Sequence, residues 1–263
     1  MKISHECPIS LLTESRSFND YDYALVHLFE EIKEYKEFFI ESLNSGRKVI
    51  LDNSIFELGK AFDMFSFANW IEEIRPTEYI IPDVLEDCGE TIVNAIKWKR
   101  LFNNLPGKKI GVVQGKNYDQ LVYCYKQLDE DIGVDKMALS FDYSYYQKVF
   151  PHPNKWLSYA KGRIMTINRL LEENVINVNK PHHLLGCSLP FEFITYRTGY
   201  PWLESMDTSN PIVHGIKKIR YGYGGLISKE SIKLVDLINE VPNEEQLTII
   251  RHNVSAFREI VNG

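Results

Sequence analysis

Cysteine is scarce and unpaired in this chain: Cys7, Cys88, Cys124 and Cys187 are the only four among 263 residues, far apart and with no C-x-x-C spacing. That excludes a cysteine-rich zinc module and a disulfide-stapled scaffold, and it fits free thiols in a reducing compartment. Long apolar runs are missing too. No stretch reaches the length of a membrane span and no apolar segment follows the opening Met-Lys-Ile-Ser-His, so no membrane partner is expected and the expected location is the cytoplasm. Positive charge is not in excess. With 30 Lys and Arg against 36 Asp and Glu the net charge is -6, so any nucleic acid must be held by a local patch and not by the overall field. Internal repeats, low-complexity tracts and a domain linker are absent as well, which leaves one domain over residues 1–263 as the expectation.

What is present is an ordinary globular composition, 44% hydrophobic and 25% charged, enough to bury one large core. Short β-like runs alternate with longer amphipathic segments. The candidate strands are residues 2–8, 24–29, 48–53, 79–84, 109–114, 136–141, 182–188 and 203–207. Between them lie stretches such as MFSFANWIEEI, GETIVNAIKWKRLF, YDQLVYCYKQL and WLSYAKGRIMTINRLLEE, with apolar residues recurring at three and four. Near-continuous apolar strands alternating with helices imply a parallel sheet covered on its outside, and eight such units imply a (β/α)8 TIM barrel. After residue 207 a basic, Gly-rich loop and two helices, residues 229–239 and 243–261, are expected to pack outside the barrel. Pro242-Asn243 marks the second start, and Glu244 and Glu245 suit its first turn.

Four apolar runs end on a polar residue: VILDNS at Asp52, YIIPDV at Asp83, GVVQG at Gln114 and LESMDTS at Asp207. Each of the three Asp residues is equally readable as a helix cap after a strand. In a barrel, however, all strands end on one rim, and three carboxylates with an amide crowded there carry a desolvation and repulsion cost that a ligand or mutual hydrogen bonds must offset. Two carboxylates in unlike environments can divide the roles of nucleophile and acid/base. The adjacent His182 and His183 point to opposite sides of a strand, which disfavours joint metal binding and leaves core or supporting roles.

In order and spacing these segments resemble the tRNA-guanine transglycosylase superfamily. LDNSIFELG is similar to that family's Asp-Ser-Gly-Gly-Phe-Gln, IPDVLED to its base-recognising Asp strand, and GVVQG to its Gly-Ile-Val-Gln-Gly. MALSF, HLLGCSLPFEF and SMDTS follow in the places of its Gly/Leu/Ala strand, its His-Tyr-Leu-Met-Gly-Val-Gly-Pro lead-in and its nucleophile strand. The match runs over residues 48–210, the larger part of the chain. There are departures. The family's zinc module of Cys-x-Cys-x-x-Cys and a distant His is absent, so no cofactor is expected, and Thr208-Ser209-Asn210-Pro211 replaces its Pro-Thr-Arg. The short form looks more like the DNA-directed branch found in phages and bacterial modification islands, which exchanges guanine in DNA for a 7-deazaguanine such as preQ0.

The resemblance implies a pentosyltransferase in which Asp207 is the nucleophile at C1′ and Asp52 the general acid/base. Asp83 and Gln114 would read the base edge, with Gly115, Phe56, Ser54, Asn53, Leu139 and Ser140 lining the pocket. DNA would be the partner, alongside accessory modification proteins. Lys217, Lys218 and Arg220 are the expected phosphate contacts and Tyr221 and Tyr223 the expected stacking residues, with Tyr143, Tyr145 and Tyr146 as a second aromatic set. A tRNA-directed enzyme, an inert nucleic-acid-binding subunit and a barrel hydrolase of free nucleosides are the competing expectations.

Overall fold

A computed structural model describes residues 1–263. The eight expected strands are all present: β1 Lys2–Ser4, β2 Asp22–Leu25, β3 Val49–Asp52, β4 Glu78–Ile80, β5 Lys108–Val112, β6 Lys136–Ser140, β7 His182–Leu185 and β8 Leu203–Asp207. Every pairing is parallel, in the order β1-β8-β7-β6-β5-β4-β3-β2, with helices outside: a (β/α)8 barrel. Strands such as Val49–Asp52 are buried along their whole length because the barrel interior covers one face and the helices the other. Helix starts follow the local chemistry. Asp63, Asp87, Asn117 and Asn154 each accept a backbone N–H of the helix they precede.

No β ladder joins β1 to β2, and side chains close the seam instead. Asn19 takes both main-chain groups of His5, accepting from its N at 2.7 Å and donating to its O at 2.9 Å. Asp20 does the same for Ile3 through its carboxylate and its own N–H, at 2.8 and 2.9 Å. Toward the N-terminal ends of the strands, Lys136 of β6 meets Glu78 of β4 and, at 2.7 Å, Glu204 of β8. Contacts between alternate strands place these side chains inside the barrel, where a buried cation needs both partners.

The end of the chain departs from expectation. Residues 229–239 form an extended strap with one 3-10 turn, Leu234–Leu237, in place of a helix. The reason is tertiary. Lys229 Nζ donates to Cys187 O at 2.7 Å and Lys233 Nζ to Phe56 O at 2.7 Å, so the segment stretches across the barrel mouth. The final helix, Glu244–Asn262, is as expected and opens with a capping box between Asn243 and Gln246. Its Ile250 and Val254 pack with Ile212, Val213 and Ile216 in a small second core outside the barrel. No helix is long and apolar enough to cross a membrane.

Candidate active site

Asp52, Asp83, Gln114 and Asp207 come together in one cleft of about 970 Å³, open to solvent at the C-terminal mouth of the barrel. Ser140 and Phe56 line it as well, Phe56 tilting on Phe141 with ring centroids 5.9 Å apart. The four polar residues have unlike surroundings, and that decides what each can do.

Asp207 ends β8, where Oδ1 receives His183 Nε2 at 2.8 Å and Gly186 N at 3.4 Å. His183 is fixed in turn by Ser205 Oγ at 2.9 Å on Nδ1 and by the stacked ring of Tyr23. With Nδ1 accepting from the hydroxyl, Nε2 carries the hydrogen given to Asp207. Neighbouring His182 points outward to Tyr125 and Lys180 O, so the two rings lie on opposite sides as the pleat requires. Asp52, across the cleft, has one donor, Ser54 N at 3.2 Å. Burial, then the charges of Glu57, Asp207 and Asp83, hold its pKa well above the usual carboxylate range.

Asp83 and Gln114 form a clamp. Asp83 Oδ2 accepts from Gln114 Nε2 at 2.6 Å and Oδ1 from Asn53 Nδ2 at 2.8 Å, while Gln114 Oε1 is held by Glu86 N at 2.8 Å. Burial raises the pKa of Asp83, and the Asn53 and Gln114 bonds oppose the rise. One Gln114 N–H and the free lone pairs of Asp83 remain for a planar ligand with a carbonyl beside N–H donors.

Four of the expected pocket residues stand behind the wall. Asn53 is buried and positions Asp83, while Ser54, at φ +61°, aims its N–H at Asp52. Leu139 alternates with Ser140 on β6 and faces the core. Its carbonyl accepts from the buried Arg163. Gly115 is there for spacing, since a Cβ would stand 2.8 Å from that of Gln120. Tyr143 and Tyr146 are buried packing residues whose hydroxyls bond the main chain of Ser140, by accepting from its N and donating to its O, both at 3.1 Å.

In the basic set only Tyr221 needs correcting. None of Lys217, Lys218, Arg220 and Tyr221 lines the cleft. Lys218 pairs with Glu245, Arg220 meets His252 at 3.1 Å, and Tyr221 is buried with its N–H on Asn253 and its hydroxyl on Asn210. Tyr221 therefore anchors its loop and stacks on nothing at the surface, whereas Tyr223 is fully exposed. The cations at the cleft are Lys229 and Lys233 of the strap. Burial lowers the Lys229 pKa to about 8.

Three cleft carboxyls escaped the sequence reading: Glu6, Glu57 and Glu230. Glu6 lies two residues beyond Ser4, which pairs with Asp207 in the sheet register, and so reaches the Asp207 end of the cleft. Burial, the Asp207 and Glu57 charges and a hydrogen bond to Asp207 push its pKa well up. Glu57 also lines the cleft, its pKa raised by burial to about 7. Glu6 falls inside the expected strand of residues 2–8, and only the shorter observed strand, Lys2–Ser4, leaves it on the rim. The cleft is thus an acidic mouth in which burial raises the pKa values of Glu6, Asp52, Glu57 and Asp83, and in which Asp207 accepts two donors on one oxygen. No group of three or more His, Cys, Asp or Glu side chains is disposed to hold a metal ion. No family model and no curated protein matches this chain.

Proposed function

We propose that the chain is a base-exchange transglycosylase that replaces guanine in DNA with a 7-deazaguanine through a covalent sugar intermediate on Asp207. The observation that carries this reading is the division of labour in one cleft. A carboxyl oriented by His183 and Gly186 shares the cleft with the Asp52 carboxyl, whose pKa burial holds well above the usual range, and with the Asp83–Gln114 clamp.

In the first displacement Asp207 Oδ bonds to C1′ as the bond from C1′ to the base breaks, and the Asp52 proton passes to the departing guanine. In the second, the incoming base gives its proton to Asp52 and bonds C1′, and the Asp207 carboxylate leaves. Two inversions retain configuration, the logic of a retaining glycosidase. Guanine and a 7-deazaguanine share the N1, N2 and O6 edge, so one clamp serves both: Asp83 accepts from N1–H and the 2-amino group, and Gln114 donates to O6. The target nucleotide has to leave the stack to bring C1′ to Asp207, which is only 5% exposed.

The test is incubation with radiolabelled guanine and, separately, DNA or tRNA. Label is expected in DNA. Label in tRNA alone would move the reading to the RNA-directed enzymes, and label in neither polymer by folded protein would sink it. Release of base from free nucleosides without labelling would favour a hydrolase.

A further inference from the structure

The segment from His214 to Lys233 carries five Lys or Arg residues and one Glu, in a chain whose net charge is -6. Only Lys218 of the five is engaged in an ion pair. In its middle the chain folds back on itself. Gly222 and Gly225 exchange both main-chain hydrogen bonds, at 3.1 and 3.0 Å, leaving Tyr223 and Gly224 as a two-residue tip. Gly224, at φ +79°, supplies the conformation that the third position of such a turn demands. The base of the turn is fixed on both sides. Tyr221 and Leu226 are buried, and Gly225 lies so close to Pro190 that a Cβ would stand 2.6 Å from that ring. Ile227 O then accepts from Asn154 Nδ2 at 2.7 Å, and two residues on, Lys229 enters the cleft wall. The tip itself touches nothing: Tyr223 is fully exposed and Ile227 nearly so. Tyr223 thus stands in water at the tip of a turn that follows the basic residues Lys217, Lys218 and Arg220 and leads into the cleft wall.

We propose that Tyr223 enters a DNA duplex and fills the gap left when the target guanine nucleotide is drawn into the cleft. The inference rests on the exchange reading for the identity of the extruded nucleotide. Lys229 is six positions after Tyr223, a reach of at most about 20 Å, so the tip and the cleft can engage one duplex together. The phenol ring stacks on the orphaned neighbours and offsets their lost stacking, while Lys217 and Arg220 supply cationic contacts to the backbone beside it. Tyr223 takes no part in bond making, so its contribution vanishes when the guanine is already unstacked.

The experiment uses the full chain and a short duplex with 2-aminopurine beside a single guanine, read by fluorescence, and the same sequence single-stranded, read by incorporation of labelled guanine. Wild type and Tyr223→Phe are expected to raise the duplex fluorescence, and Tyr223→Ala to abolish the rise. Incorporation by Tyr223→Ala is expected to fall about tenfold on the duplex and to stay within about twofold on the single strand. No rise with wild type, an equal rise with Tyr223→Ala, equal losses on both substrates, or a rise confined to duplex RNA would each overturn the proposal. A rise that depends on Tyr223 without incorporation into any DNA would leave the wedge standing and remove the exchange reading.

Discussion

Asp207 and Asp52 are both Asp at the end of a barrel strand, yet their neighbours give them opposite characters. Asp207 has two donors on one oxygen, whereas Asp52 sits among other acids with one. Replacing Asp207 with Ala is expected to lower exchange by about 10⁴-fold while circular dichroism stays native, since a nucleophile's loss is not shared out among its neighbours. Near-normal exchange would return it to a helix-capping role. Glu57 offers a sharper test of the electrostatics. Its charge is, after burial, the largest influence raising the Asp52 pKa. Glu57→Gln should therefore let Asp52 ionise at lower pH, and the alkaline limb of the pH–rate profile should move to lower pH. The same variant tests stability. The folded-state pKa of Glu57 is raised from 4.5 to about 7, so the folded chain holds a proton that the unfolded chain releases first. Wild type then loses stability as pH rises from 4.5 through about 7. Melting temperatures of wild type and Glu57→Gln should agree at acid pH and separate above neutrality, the variant melting higher.

Elements carry the site residues, and some buried polar groups hold the elements. Arg163, fully buried in the helix Lys155–Glu172, pairs with Glu192 and donates to the carbonyls of Leu139, Leu185 and Gly186, the ends of β6 and β7 beside Asp207. Arg163→Met leaves Glu192 buried and unpaired and frees three carbonyls. A cost of about 3–5 kcal/mol in urea unfolding is expected. The capping box of the last helix is a milder case, and Asn243→Ala should cost about 1 kcal/mol. The strap shows why one helix was misread. Residues 229–239 have helical apolar spacing, but that spacing records only which residues face apolar surface. It does not record that Lys229 and Lys233 find main-chain carbonyls on opposite sides of the barrel mouth. Tyr221 was misread for a related reason, because an aromatic in a basic Gly-rich loop looks the same whether it stacks outside or, as here, bonds Asn210 and Asn253 inside.

At the scale of the whole molecule the barrel is closed by side chains between β1 and β2, and this seam is where it should open first. Asn19→Ala removes both bonds to the His5 main chain and is expected to cost about 1–3 kcal/mol, with the amides of β1 gaining most in hydrogen exchange. A uniform rise across the barrel would mean that the seam is no weaker than the ladders. The eight strands were legible in the sequence because a strand covered on both faces must be apolar throughout, and runs such as Val49–Leu51 cannot be satisfied otherwise. Asp52, Asp83, Gln114 and Asp207 were legible because each interrupts such a run at its end, and a parallel barrel gathers those ends. Glu6 was not, since the strand before it is three residues long and leaves little pattern to interrupt. The sequence by itself therefore determined the barrel and the polar rim, both consequences of local burial and period. Only the tertiary structure decided which rim groups face the cleft, which of them have raised pKa values and which lysines cross the mouth, because those depend on neighbours brought from distant parts of the chain.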